Sequence, residues 1–231
     1  MLSAVREAFW GGTKVTPYYQ DDYVTIYHWD SREILPSCKW DVLISDPPYG
    51  ISLKCDYKSR GRSKLASCKD YPDVRGDNVS FDPTWLMKYY ERPMVLWGAN
   101  YYADKLTNES GWLVWDKQRP EGIDQAACEL AWTNVIKGVR IYRHLWHGMM
   151  RGSERGESYH PTQKPVALMK WALSLKWMPS EGVVIDPYMG SGPVLRAAKD
   201  LGRRAIGIEI EEKYCEIAAK RMSQEVLFGV A

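Results

Sequence analysis

Two short segments carry residue types whose spacing suits chemistry on a small planar amine. In Asp46-Pro47-Pro48-Tyr49-Gly50 a carboxylate and an aromatic ring flank two prolines, directly after the apolar run Asp41 to Ser45. Consecutive prolines have no N–H to donate and bias the residue before them away from helix, so the chain must leave the strand in a stiff, extended turn. Such a turn presents the Asp46 carboxylate, the Pro47 carbonyl and the face of Tyr49. These are two acceptors for the two N–H groups of an exocyclic amine and a ring on which its base can stack. The plainer reading is a turn that only ends a strand.

The second segment, Val183-Val184-Ile185-Asp186-Pro187-Tyr188-Met189-Gly190-Ser191-Gly192, reads as a buried strand, an acid at its C-terminal end and a glycine turn entering a helix. In open α/β sheets ligands sit at such turns, because glycine lets them approach the backbone. The G-x-G-x-x-G spacing is absent, so a pyrophosphate site is not indicated. Glu209 lies 23 residues beyond Asp186 at the end of the next apolar run, where an acid can accept hydrogen bonds from both hydroxyls of a ribose. Taken alone, the segment could equally be a structural turn with a helix-capping acid.

The elements that must hold these groups are legible as periodicity. Runs at 23–28, 40–45, 93–97, 112–115, 183–186 and 204–208 predict short buried strands. Helices are predicted over about 83–91, opened by an Asp82 cap and Pro83, and from Pro165 onward with Val166, Met169, Leu173 and Trp177 on one face. Two more are predicted over 192–201 and 212–226, the latter with Ile217 and Met222 on its apolar face. Residues 127–133 and 138–146 predict an antiparallel pair closing the sheet edge. Strands alternating with helices imply an α/β fold whose sheet is mostly parallel and covered on both faces. With 231 residues and no dividing linker, a single domain over 1–231 is expected.

Composition narrows the class further. At 45% apolar and 26% charged residues the chain resembles ordinary globular proteins, which argues against disorder, collagen-like structure or coiled coil. The longest charge-free stretch, Pro93 to Ala103, is 11 residues, too short to cross a bilayer, and Met1 to Lys14 has no apolar run of a secretory signal. Five cysteines without a C-x-x-C pair predict neither a disulfide framework nor a zinc site, and a reducing, cytoplasmic setting. His144 and His147 have no cysteine or carboxylate at ligand spacing, so no metal is expected. Net charge is only +2, but the charge is uneven. Residues 51–75 hold Lys54, Lys58, Arg60, Arg62, Lys64, Lys69 and Arg75 against three acids, and 137–155 hold five basic residues against Glu154, interleaved with His144, Trp146 and His147. Such loops can contact phosphates while aromatics stack on bases, or can be merely solvated.

The order DPPYG (46–50), WLVWDK (112–117), ELAWT (129–133), HPTQKP (160–165), DPYMGSG (186–192) and GIEI (207–210) resembles the S-adenosylmethionine-dependent amino-methyltransferases of DNA, specific for adenine N6 or cytosine N4. It is similar to the permuted, β-type arrangement of small phage and restriction–modification enzymes, in which the acceptor motif precedes the cofactor motif. The resemblance runs from about Tyr23 to Arg221. It implies a Rossmann-like methyltransferase fold with a mostly parallel seven-stranded sheet, an antiparallel edge strand and circularly permuted motif order.

By the same resemblance, Asp46, Pro47, Pro48 and Tyr49 hold the target base. Asp186, Pro187, Tyr188, Gly190, Ser191 and Gly192 receive the methionine part of S-adenosylmethionine, and Glu209 its ribose. Thr162 and Lys164 become candidates for the methionine carboxylate, with a plain surface lysine the alternative for Lys164. Asp30, in HWDSREIL, becomes a candidate near the cofactor adenine, or else a cap for the helix that follows. Pro193 and Tyr188 depart from the usual Thr and Phe of the family; neither change removes a group that the chemistry requires. Double-stranded DNA with a flipped-out base is the implied partner, loops 51–80 and 134–159 the implied groove contacts, and a homodimer is common among β-type relatives. DPPY resembles the adenine-N6 versions more than the cytosine-N4 ones. Core packing is the default role of the tryptophans, with the border of the base pocket or groove the alternative for Trp97 and Trp146. The rival of another class is a catalytically silent nucleic-acid-binding module, against which the presence of both half-sites argues.

Overall fold

The structure is a computed structural model and describes residues 8–52, 76–120, 126–147, 150–154 and 163–224. In chain order the strands are β1 (Ala8–Trp10), β2 (Thr13–Val15), β3 (Tyr19–Gln20), β4 (Val24–His28), β5 (Val42–Ser45), β6 (Met94–Trp97), β7 (Trp112–Asp116), β8 (Cys128–Thr133), β9 (Val139–Arg143), β10 (Trp146–His147), β11 (Met150–Arg151), β12 (Val183–Asp186) and β13 (Arg204–Glu209). The α-helices are α1 (Ser31–Ile34), α2 (Thr84–Met87), α3 (Val166–Leu173), α4 (Pro193–Asp200) and α5 (Glu212–Met222).

Nine of the described strands form one sheet, in the order β3-β4-β13-β12-β5-β6-β8-β7-β9. From β4 to β6 the pairing is parallel throughout, while β8 runs antiparallel to both β6 and β7. Eight of these nine strands fall on runs predicted from the sequence, and the two-residue β3 adds one at the edge, so the sheet holds nine strands where the resemblance implied seven.

The edge itself differs from expectation. Residues 127–133 and 138–146 do not pair with one another, because β7 lies between β8 and β9 and pairs with both. The connection from β8 to β9 can cross the start of β7 because residue 111 is glycine: a Cβ there would lie 2.3 Å from the Thr133 carbonyl oxygen and 2.5 Å from that of Ile136. Local periodicity cannot register which strand is inserted between two others.

The central strands are apolar without alternation because both faces are covered. Val42 and Ile44 of β5 face a cluster containing Leu168, Leu195, Ala198 and Ala218 from α3, α4 and α5. Leu43 faces the opposite cluster, with Ile34, Leu35 and Leu86 from the α1 and α2 side. All three strand residues are fully buried, each contributing about 1.5–3 kcal/mol of apolar transfer energy.

Two helices are shorter than their periodicity suggests. Asp82 does accept from the Thr84 amide at 3.1 Å, but α2 ends at Met87 and the chain reaches β6 through tight turns. α3 ends at Leu173, leaving Trp177 outside it and 54% exposed. In α5, Met222 is fully buried and Ile217 half-buried; residues 225–226 of the predicted helix lie outside the described residues.

Chain order reverses in the middle of the sheet. From β5 the chain moves outward to β6, whereas from β12 it moves through α4 to β13 on the other side, although β5 and β12 are hydrogen-bonded neighbours. The crevice beyond the C-terminal ends of two such strands is where a doubly wound sheet binds ligands.

Candidate active site

Asp46 follows the last residue of β5, and Asp186 is the last residue of β12. The Ser45 hydroxyl donates to Asp186 Oδ1 at 2.7 Å across 141 positions of sequence, tying the two strand ends together. Both segments line one cleft of about 970 Å³, together with Asp30, Glu129, Trp146, Lys164 and Glu209.

On the β12 side, Asp186 is buried and also accepts from the Tyr188 amide at 3.0 Å. Burial pushes its carboxyl up to about 7, opposed by these two donors. Gly190 and Gly192 take φ values of +50° and +75°, which glycine adopts without strain, and Gly192 precedes Pro193 at the first turn of α4. Around Gly190 the space is open: nothing lies within 4 Å of the position a Cβ would take. The neighbouring Ser191 Oγ is buried and, among the described residues, has no hydrogen-bond partner. Glu209, at the end of β13, accepts from the Gly190 amide at 3.0 Å and the Glu211 amide at 2.9 Å, and burial raises its carboxyl. Tyr188 makes edge contacts with Phe81 and Trp85. Asp30 does two things at once: it caps α1, accepting from the Arg32 amide at 2.9 Å, and it lines the cleft.

On the β5 side the carboxylate is not bare. The Tyr49 hydroxyl donates to Asp46 Oδ1 at 2.5 Å, and Lys164 donates to Oδ2 at 2.6 Å and to the Tyr49 hydroxyl at 2.9 Å. Lys164, a candidate for the methionine carboxylate with a plain surface lysine as the alternative, is buried at 3% exposure and paired with Asp46, which excludes the surface alternative. Its ammonium also lies 3.0 Å from Glu129 Oε2, and Lys117 pairs with Glu129 Oε1. Burial pushes the Asp46 carboxyl up, opposed by Lys164. Burial acts the same way on Glu129, yet two ammonium groups hold its carboxyl down at about 2. Lys164 is desolvated too, but the two carboxylates raise its ammonium above the usual range.

The Tyr49 ring is stacked by Tyr101, at 5.0 Å between centroids and 18° between planes. It also packs directly on Gly98, whose φ is +70°. Of the two tryptophans weighed between core and base pocket or groove, Trp97 is fully buried in the core while Trp146 lines the cleft. Thr162 and the basic segment 53–75 lie outside the described residues.

Glu129 and Lys117 were not singled out from the sequence as functional residues. The signal was present: an acid and a lysine belong to strand segments otherwise rich in apolar residues, where unpaired charge is costly. Their pairing across β7 and β8 only the sheet register reveals.

Residues 131–220 match the family model described as DNA methylase. The chain is 25% identical over 271 residues to the type II methyltransferase M2.LlaDCHI of Lactococcus lactis subsp. cremoris, covering 98% of this chain and all of the relative. It is 26% identical over 264 residues to M2.DpnII of Streptococcus pneumoniae, covering 95% and 97% of the two chains. Among solved structures it is similar to the M1.HpyAVI–SAM complex, with a TM-score of 0.54 and 24% identity over 86% of this chain and 99% of the other. The PvuII cytosine-N4-specific DNA methyltransferase shares the fold, with a TM-score of 0.61 and 14% identity over 91% and 90% of the chains. The sheet order, the cleft at its switch point and these likenesses together support an amino-methyltransferase of the N6/N4 DNA methylase kind, as found in restriction–modification systems.

Proposed function

We propose that the protein transfers a methyl group from S-adenosylmethionine to the N6 amino group of an adenine flipped out of double-stranded DNA. The observation that carries this reading is the Ser45–Asp186 bond, which brings the Asp46–Tyr49 acceptor group and the Asp186–Gly192 turn to one cleft.

The residues present fit the cofactor. Open space at Gly190, the unpartnered hydroxyl of Ser191 and the buried acid Glu209 at the adjacent strand end suit a ligand with an amino-acid part and a ribose. In this reading Asp186, Pro187, Tyr188, Gly190, Ser191 and Gly192 cradle the methionine part, Glu209 accepts from the ribose hydroxyls and Asp30 lies toward the adenine. When bound, S-adenosylmethionine supplies an electrophilic methyl group on a sulfonium, which an amine can attack directly.

The protein's task is to make the amine nucleophilic and to hold it in line. The lone pair of an adenine N6 is delocalised into the ring. Asp46 and the Pro47 carbonyl accept its two N–H bonds, hold a geometry that frees the lone pair and stabilise positive charge developing on nitrogen. Pro48 keeps the turn rigid, and Tyr49 would support the base plane after flipping with a ring face that the Tyr101 stack leaves clear or vacates. Transfer forms the N–C bond and breaks the C–S bond; one amine proton then departs, with the Asp46 carboxylate placed to accept it. Adenine rather than cytosine rests on the DPPY form of the acceptor motif. The basic segments 51–80 and 134–159, the second of which carries β9, β10 and β11, would contact phosphates and base edges.

Incubation with S-adenosylmethionine and unmethylated duplex DNA, digestion to nucleosides and mass spectrometry test the reading. N6-methyladenine is expected. N4-methylcytosine would keep the mechanism and change the base. Neither product, with cofactor binding intact by calorimetry, would overturn the DNA substrate, and loss of cofactor binding as well would favour a silent module.

A further inference from the structure

Both oxygens of the Asp46 carboxylate are already occupied, Oδ1 by the Tyr49 hydroxyl and Oδ2 by the Lys164 ammonium. Each oxygen keeps a second lone pair, so a target amine can still bind. It then shares a carboxylate whose negative charge the Lys164 ammonium already neutralises, and full use of that charge requires Lys164 to turn away. A buried ammonium or hydroxyl turned away from its acceptor is strongly unfavourable unless another acceptor stands within reach. One does: Glu129 Oε2 lies 3.0 Å from Lys164 Nζ and 3.4 Å from the Tyr49 hydroxyl, so it is next to both of the donors that Asp46 would give up. Its other oxygen is held by Lys117, and its backbone is fixed by the β7–β8 ladder opposite Trp115. The four charged side chains, Asp46, Glu129, Lys117 and Lys164, balance to zero, so the exchange needs no charge to enter or leave the cleft.

We propose that Glu129 is a positioning residue for methyl transfer, taking over Lys164 and Tyr49 so that the Asp46 carboxylate is released to the target amine. The proposal rests on the functional reading above. Glu129 acts through Lys164 and Tyr49 rather than on the reacting atoms.

The test compares Glu129→Gln, Lys164→Gln and the double variant in single-turnover transfer to duplex DNA, with S-adenosylmethionine affinity measured by calorimetry. In E129Q the ammonium keeps Asp46 as its charged partner and competes with the amine, so the single-turnover rate falls roughly tenfold or more while cofactor affinity stays within about twofold. K164Q leaves two adjacent carboxylates without their shared cation and also loses activity. The double variant removes one acid and one base, restores the balance and frees Asp46, so it is at least roughly tenfold faster than E129Q. A side chain that merely supports the fold gives no such rescue.

A double variant no faster than E129Q, or E129Q at the wild-type single-turnover rate, overturns the proposal. Glu129→Asp keeps the charge but shortens the reach to Lys164; if E129Q does not fold, a wild-type single-turnover rate in this variant overturns the proposal instead. Transfer by the wild type without rescue removes this inference alone, whereas no transfer by the wild type removes the functional reading with it.

Discussion

Gly98→Ala separates the position of Tyr49 from the rest of the cleft. Gly98 follows β6 with φ at +70°, and a Cβ there would lie 1.9 Å from Tyr49 Cε1 and 2.3 Å from Cζ. Two costs follow. An alanine in the left-handed region costs about 1–2 kcal/mol. Ordinary contact begins near 3.4 Å, so the ring must also retreat by about 1.5 Å, and such overpacking costs a further ~1–3 kcal/mol. The expected loss of stability is therefore about 2–5 kcal/mol, read by urea denaturation. A shift of that size displaces the Tyr49 hydroxyl from its 2.5 Å bond to Asp46. Misplacement on the scale of 1 Å costs about 100-fold in rate, so single-turnover methyl transfer should fall by about that factor, while cofactor affinity stays within about twofold. A variant that loses stability yet turns over at the wild-type rate would refute the coupling of Tyr49 to transfer. One that loses no stability would refute the packing itself.

Asp46→Ala should abolish measurable transfer while cofactor binding survives; near-wild-type turnover would remove Asp46 from its role. The folded-state carboxyl of Asp186 stands near 7, above its ordinary value, so the folded protein binds the proton more tightly and stability should fall as pH rises from about 4 to 7, by up to about 4 kcal/mol. Asp186→Asn should flatten that slope in the protein without ligand, and an unchanged slope would locate the titration elsewhere. Glu209→Ala should weaken S-adenosylmethionine binding by roughly 10- to 100-fold in calorimetry through lost hydrogen bonds to the ribose; unchanged affinity would dismiss the ribose contact. Neutralising Lys58, Arg60, Arg62 and Lys64 together should flatten the salt dependence of DNA binding, and an unaltered slope would exclude this loop as the phosphate contact.

The apolar runs from 23–28 to 204–208 were readable as strands because burial on both faces leaves continuous hydrophobic segments, and the structure places a strand at each. DPPYG and DPYMGSG were readable as turns because prolines and glycines restrict the backbone locally, whatever surrounds them. Helix ends were less legible, since α2 and α3 stop where tertiary packing rather than periodicity dictates, leaving Trp177 exposed.

What the sequence could not contain is adjacency. That β5 and β12 are neighbours, that Ser45 reaches Asp186, and that β7 lies between β8 and β9 are consequences of sheet order, which no local pattern encodes. The acid and lysine within ELAWT and WLVWDK looked like incidental charges, and Lys164 like a ligand for the cofactor. Folding removes these side chains from water, and desolvation leaves each charge dependent on whichever opposite charge the sheet brings within reach. Sequence alone thus determined the strands, the turns and the chemical types at the site. Only the tertiary structure decided that Lys164 belongs to Asp46 and Glu129, because burial makes that pairing obligatory and long-range topology selects the partners.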